Sequence, residues 1–156
     1  MNVRGRGAVG GVRAGRRRYV APSVYDCRAC SRPRGAPQVS DVDVPAKIRE
    51  ICLSLPEAAE KPFGGHTAPS FRVRDKLFVM TSEDGLSMTF KAGTGVQEAL
   101  VAENPECFFV PKYVGSKGWV GARLDVDHDW DEMAELIEDS YRLIAPKRLV
   151  NLLDHR

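Results

Sequence analysis

Lys112, Tyr113, Lys117 and Trp119 bring two ammonium groups and two aromatic rings into one glycine-hinged loop and the strand that leaves it. Phosphate contact and base stacking need these residue types close together, because cations neutralise backbone charge while rings offer flat faces to bases. Arg72, Arg74, Lys76 and Lys91 add cations on neighbouring strands and turns. The competing reading is structural: Tyr113 and Trp119 pack partly inward, and the lysines only solvate a hairpin.

Other chemistry is thinner. His66, in the Gly64-Gly65-His66-Thr67 segment, is the histidine placed where a ligand could reach it. A general base also needs an orienting partner and a group to deprotonate, and no nearby nucleophile supplies one. His66 with Lys91 and Trp119 therefore stands as an alternative small-molecule or peptide pocket rather than a catalytic set. Asp125-x-Asp127-x-Asp129 imitates the start of a calcium loop, yet Trp130 and Leu136 occupy the positions that require Gly and Glu. Gly93-Thr94-Gly95 precedes a helix, but Glu98 stands where a dinucleotide fingerprint needs its third glycine. What survives there is one phosphate held by Lys91 and the free N–H groups at a helix start. Cys27-x-x-Cys30 is half a zinc site without its second pair, and Cys52 and Cys107 read as reduced core thiols. No metal, cofactor or enzymatic activity is expected.

These side chains need elements to position them. Asp43 caps a helix with Pro45 at its start, and Ile48, Ile51, Cys52 and Leu55 form its apolar stripe. Residues 57–70 carry Pro62, Gly64, Gly65 and Pro69 and read as a loop. Alternation predicts strands over 71–74 and 86–91, and an apolar run predicts another over 77–81, joined by turns at Asp75-Lys76 and Glu83-Asp84-Gly85. A helix follows from Thr94 to about Asn104, then strands over 107–110 and 119–124. The last long helix is capped by Asp129 with Glu132 three residues on, and a short helix follows Pro146. The order α-β-β-β-α-β-β-α predicts an α+β fold, a five-stranded antiparallel sheet with helices packed against it.

Charge divides the chain of 156 residues into two pieces. Residues 1–40 hold nine arginines and one acid, whereas residues 41–156 hold 14 basic and 20 acidic side chains. The first piece is rich in Gly, Arg and Pro, lacks any period and reads as disordered. Three origins fit it: a phosphate-gripping arm, a targeting segment, or an upstream start codon with initiation near Val39 or Val42. The last is favoured because everything recognisable begins after it. Residues 41–156 read as one domain. Within it, residues 61–123 are mildly basic, with eight cations and six acids, while both flanks are acidic. A polyanion should therefore meet the sheet hairpins. No apolar run is long enough to span a bilayer, and no secretory h-region opens the chain, so a cytoplasmic location is the default expectation.

Ile51-Cys52-Leu53-Ser54-Leu55-Pro56-Glu57, Phe71-Arg72-Val73-Arg74-Asp75-Lys76-Leu77-Phe78, Tyr113-Val114-Gly115, Gly118-Trp119-Val120 and Asp139-Ser140-Tyr141-Arg142-Leu143 together resemble the MmcQ/YjbR family. The resemblance spans about Val42 to Asp154. It implies a five-stranded antiparallel sheet with packed helices, and DNA binding through a double wing of two β-hairpins. It brings no catalytic residues. At the first hairpin, Asp75-Lys76 stands where the family has Gly-Lys, which puts an acid at a wing tip.

Overall fold

Asp43 starts the first helix as its sequence suggests. Its carboxylate accepts from the Ala46 amide at 3.1 Å, with Pro45 in the first turn of α1, Val44–Leu53. The computed structural model describes residues 42–65 and 67–155; His66, Cys27, Cys30 and the arginine-rich extension lie outside the described residues. After α1 come β1 (Ala58–Pro62), β2 (Pro69–Val73), β3 (Lys76–Thr81), β4 (Ser87–Lys91), α2 (Val96–Glu103) and β5 (Phe108–Phe109). A 3-10 turn (Gly115–Lys117), β6 (Trp119–Arg123), α3 (Trp130–Ile144) and α4 (Lys147–Asp154) complete the chain. No helix among the described residues is long and apolar enough to cross a membrane.

The α+β architecture with an antiparallel sheet is present, but the sheet has six strands, in the order β1-β2-β3-β4-β6-β5, rather than five. The element order becomes α-β-β-β-β-α-β-β-α-α. The additional strand is Ala58–Pro62, assigned to a loop on sequence. It is an edge strand of Ala, Glu, Lys and Pro that buries little, so it lacks the alternation that betrays a half-buried strand. Its proline is tolerated because an edge strand has one unpaired side.

Residues opposed across a ladder share a face, and successive residues along a strand alternate. By that register Phe71, Val73, Val79, Met88, Phe90, Phe108, Val120 and Ala122 point to one face and are buried. Ile48 and Cys52 of α1, Leu100 of α2, Met133, Leu136 and Ile137 of α3 and Leu149 of α4 join them in one core. Leu86, expected to alternate inward with Met88 and Phe90, lies before β4 and is exposed. Cys52 is a free thiol whose ionisation burial pushes well upward, with Glu60 adding to the effect. Cys107 is buried but disulfide-bonded, which corrects its reading as a reduced thiol.

Two irregularities tie the longest helix to the sheet. The β2–β3 register shifts between Phe71 and Arg72, leaving Phe78 unopposed; its ring meets the edge of Tyr141 with centroids 5.5 Å apart. The β3–β4 ladder stops at Val79 and Phe90, one step short of Phe78 and Lys91. There the Ser140 hydroxyl enters between the strands. It accepts from the Lys91 amide at 2.8 Å and donates to the Phe78 carbonyl at 2.7 Å, standing in for the missing ladder bond.

At the other end of α3, Asp129 caps the amides of Asp131 and Glu132 at 2.9 and 3.4 Å. Glu132 does not complete a capping box, and its buried Oε1 has no partner. Half-burial first, then the charges of Asp129, Glu135 and Glu103, raise its pKa. A carboxyl raised on folding favours the native state while protonated and loses that contribution as pH climbs through its folded value. Glu132→Gln should therefore raise the melting temperature at pH 7, and the gain should vanish below pH ~4, where both side chains are neutral.

Candidate nucleic-acid interface

The β2–β3 hairpin turns at Arg74 and Asp75, both with positive φ (50° and 62°), one residue earlier than the expected Asp75-Lys76 turn. Two consecutive left-handed residues match the twist of a two-residue hairpin, which is why a non-glycine pair is held there. β4 ends, and β6 begins, at this same end of the sheet, where Lys91 and Trp119 are cross-strand partners. The loop from Pro111 to Gly118 closes β5 to β6 here as well. Arg74, Lys76, Lys91, Lys112, Tyr113, Lys117 and Trp119 thus gather at one end of the sheet, with Arg72 one step inward on β2.

Each has a distinct setting. Tyr113 is 83% exposed, and the Lys112 ammonium lies 5.8 Å from its ring centroid. Lys112 and Lys117 are exposed, and Trp119 is half-buried. The Lys91 ammonium donates to the Lys117 carbonyl, and the Gln97 amide donates to the carbonyls of Gly115 (2.9 Å) and Trp119 (2.6 Å). Lys91 and Gln97 therefore brace the loop from beneath. Arg74 pairs with Glu57 at 2.6 Å, and the same carboxylate takes Arg148 at 2.7 Å. Lys76 is exposed at the hairpin base. Arg72 reaches the Asp75 carbonyl at 3.3 Å and lies 5.8 Å from the Phe63 ring centroid. Asp75 pairs with Lys61, whose hydrogen bond and charge hold its carboxyl below the usual range.

The alternative pocket is not assembled from these parts in the same way. Lys91 and Trp119 are neighbours, but the segment that carries His66 joins Pro62 to Pro69, which pair at the opposite end of the sheet. A cleft of about 520 Å³ opens at that opposite end, lined by Phe63, Ala68, Met80, Thr81, Ser82, Glu83 and Asp84.

Register also shows what the sequence did not suggest. The sheet face turned away from the helices carries Lys61, Arg72, Lys91 and Arg123, together with Met80, Thr89, Phe109 and Trp119. The Arg123 guanidinium lies 5.4 Å from the Phe109 ring centroid. Phe109 crosses directly over Gly121, where an added Cβ would lie 2.3 Å from its Cζ. The signal in the sequence was the doublet Phe108-Phe109: in a strand one ring must face the core and the other must not. Gly121→Ala should lift the Phe109 ring and cost about 1–2 kcal/mol, measurable as a lower denaturant midpoint, since the half-buried ring can swing outward.

A family model described as YjbR matches residues 53–143. Among solved structures, Deinococcus radiodurans protein DR2400, which carries the family-model domain DUF419, superposes with a TM-score of 0.56 at 24% identity. The match covers 62% of this chain and 74% of that one, and it bears on the fold alone. No curated protein matches the chain. A sheet of this topology with helices on one side and a family match over more than half its length place the chain in the YjbR family.

Proposed function

We propose that the domain is a non-enzymatic DNA-binding module whose two hairpin tips, Arg74–Lys76 and Lys112–Lys117, grip phosphates from one end of the sheet. The observation that carries this reading is Tyr113: a large ring almost wholly in water, beside Lys112, on a loop braced from below. Exposing such a ring has no benefit for stability, and rings set among cations are the usual composition of a nucleic-acid surface. In the free protein Glu57 occupies Arg74, so Lys76, Lys112 and Lys117 supply the first contacts and Arg74 a later one. Lys91 acts chiefly by holding the loop, and Trp119 offers a partly exposed ring beside it.

The test is salt-dependent binding of residues 42–156, and of the full chain, to duplex DNA. The Lys112→Ala/Lys117→Ala double variant should bind about tenfold more weakly and lower the slope of log K against log salt by about 2, one for each lost phosphate contact. Affinity of residues 42–156 that ignores both salt and the substitutions would end the reading. A small-molecule function is the second reading, favoured by the Phe63–Met80 cleft; stabilisation by a metabolite that is lost in Met80→Glu would support it.

A further inference from the structure

The sheet face turned away from the helices is more than the back of the fold. Residues 41–156 carry six more acids than bases, yet the strand positions on this face include four cations and no carboxylate. Asp75 reaches it from one turn, paired with Lys61, and Glu83 and Asp84 from another line the cleft beside Met80 and Phe63. The acids of the domain concentrate on the helices and the loops at their ends. Such segregation leaves the β4-β6-β5 part of this face basic on an acidic body, which favours an anion there.

The plane is also ringed. Phe63 and Phe109 each sit beneath a guanidinium, at 5.8 Å from Arg72 and 5.4 Å from Arg123, and Trp119 stands beside Lys91 in the cross-strand register. Adjacent strands lie ~4.8 Å apart and Phe109 opposes Gly121, two residues along from Trp119, so the two positions lie about 8 Å apart. Between the rings, Thr89 is buried and Gly121 has no side chain, so the rings and guanidinium groups form the exposed relief. A duplex buries its base faces in its own stack and cannot use rings or guanidinium planes; an unpaired strand can.

We infer that this face is a platform for single-stranded nucleic acid, with bases stacked on Trp119, Phe109 and the Arg123 and Arg72 guanidinium planes, and phosphates met at its edge by Lys112 and Lys117 of the loop. The inference rests on the nucleic-acid reading above, and it names the strand state that the hairpin tips would hold at the edge of the plane. Loop and plane meet at Trp119, the residue common to both.

The experiment uses the full chain and three probes of equal length: a single-stranded DNA, its duplex, and an abasic strand with the same phosphates but no bases. Fluorescence anisotropy should give single-strand affinity at least tenfold above that for the abasic strand, because stacking adds to a shared electrostatic contribution. Phe109→Ala should weaken single-strand binding about fivefold or more while leaving the abasic strand unchanged, and Arg123→Ala should weaken the single strand more than the abasic strand, which loses only the charge. Lys112→Ala/Lys117→Ala should weaken all three. Circular dichroism and the melting temperature of Arg123→Ala, an exposed substitution, keep the result independent of folding. Equal affinity for the single strand and the abasic strand would overturn the platform and leave the hairpin reading standing. Binding to none of the three would remove both.

Discussion

Tyr141→Ala should cost about 4 kcal/mol, enough to abolish most of the stability of a domain this size. The side chain is fully buried in α3 and fills the volume beneath Phe78, which it meets edge to face. Its hydroxyl donates to the Pro56 carbonyl at 2.6 Å, so the ring also pins the segment between α1 and β1. Truncation would open a cavity that Phe78 cannot fill, since the unopposed position of that residue on β3 is set by the backbone. Tyr141→Phe separates the two contributions: it keeps the ring and should cost only about 1–2 kcal/mol for an unsatisfied carbonyl. Urea denaturation read by tryptophan fluorescence measures both. Equal costs for the two variants would show that the hydroxyl, not the ring, holds this junction.

Ser140→Ala is the second large effect, at about 2–3 kcal/mol for a loss of one oxygen. The hydroxyl satisfies two buried main-chain groups at once, the Lys91 amide and the Phe78 carbonyl, where the β3–β4 ladder has parted. An alanine leaves both unpaired in a site with no exposure. The same change should loosen the end of β4 that carries Lys91, and with it the support of the Pro111–Gly118 loop. Amide hydrogen exchange gives the sharper readout: Lys91 should exchange faster in the variant while amides in β1 keep their protection. A silent Lys91 amide would mean the strands close up and restore their own bond.

How much of this was legible depends on which physical signal each element carries. α3 was read nearly to its ends because a 3.6-residue apolar stripe and an Asp cap report the same helix. β3 was read from its apolar run and β4 from alternation. β1 was invisible, because an exposed edge strand of Ala, Glu, Lys and Pro has no buried face to imprint a period. The hairpin turn slipped by one residue because Asp and Lys look like turn formers, whereas the chain uses Arg74 in a left-handed conformation that arginine seldom takes. Of the candidate site, the exposed residues of the 111–119 loop were legible as a cluster in sequence. Phe109 and Arg123 were not, since they meet only through the β6-β5 pairing, and Phe63 and Met80 were not, since their approach depends on the β1-β2-β3 order; local pattern encodes neither.

One counter-charge serves two distant parts of the chain. Glu57 holds Arg74 of the hairpin tip and Arg148 of the C-terminal helix together, from a residue itself kept at a positive φ of 53°. An anion that recruits Arg74 leaves Glu57 wholly to Arg148. Occupancy of the tip would then be transmitted as a tighter grip on the final helix, and slower amide exchange across residues 147–154 would register a ligand bound at the far side of that shared carboxylate.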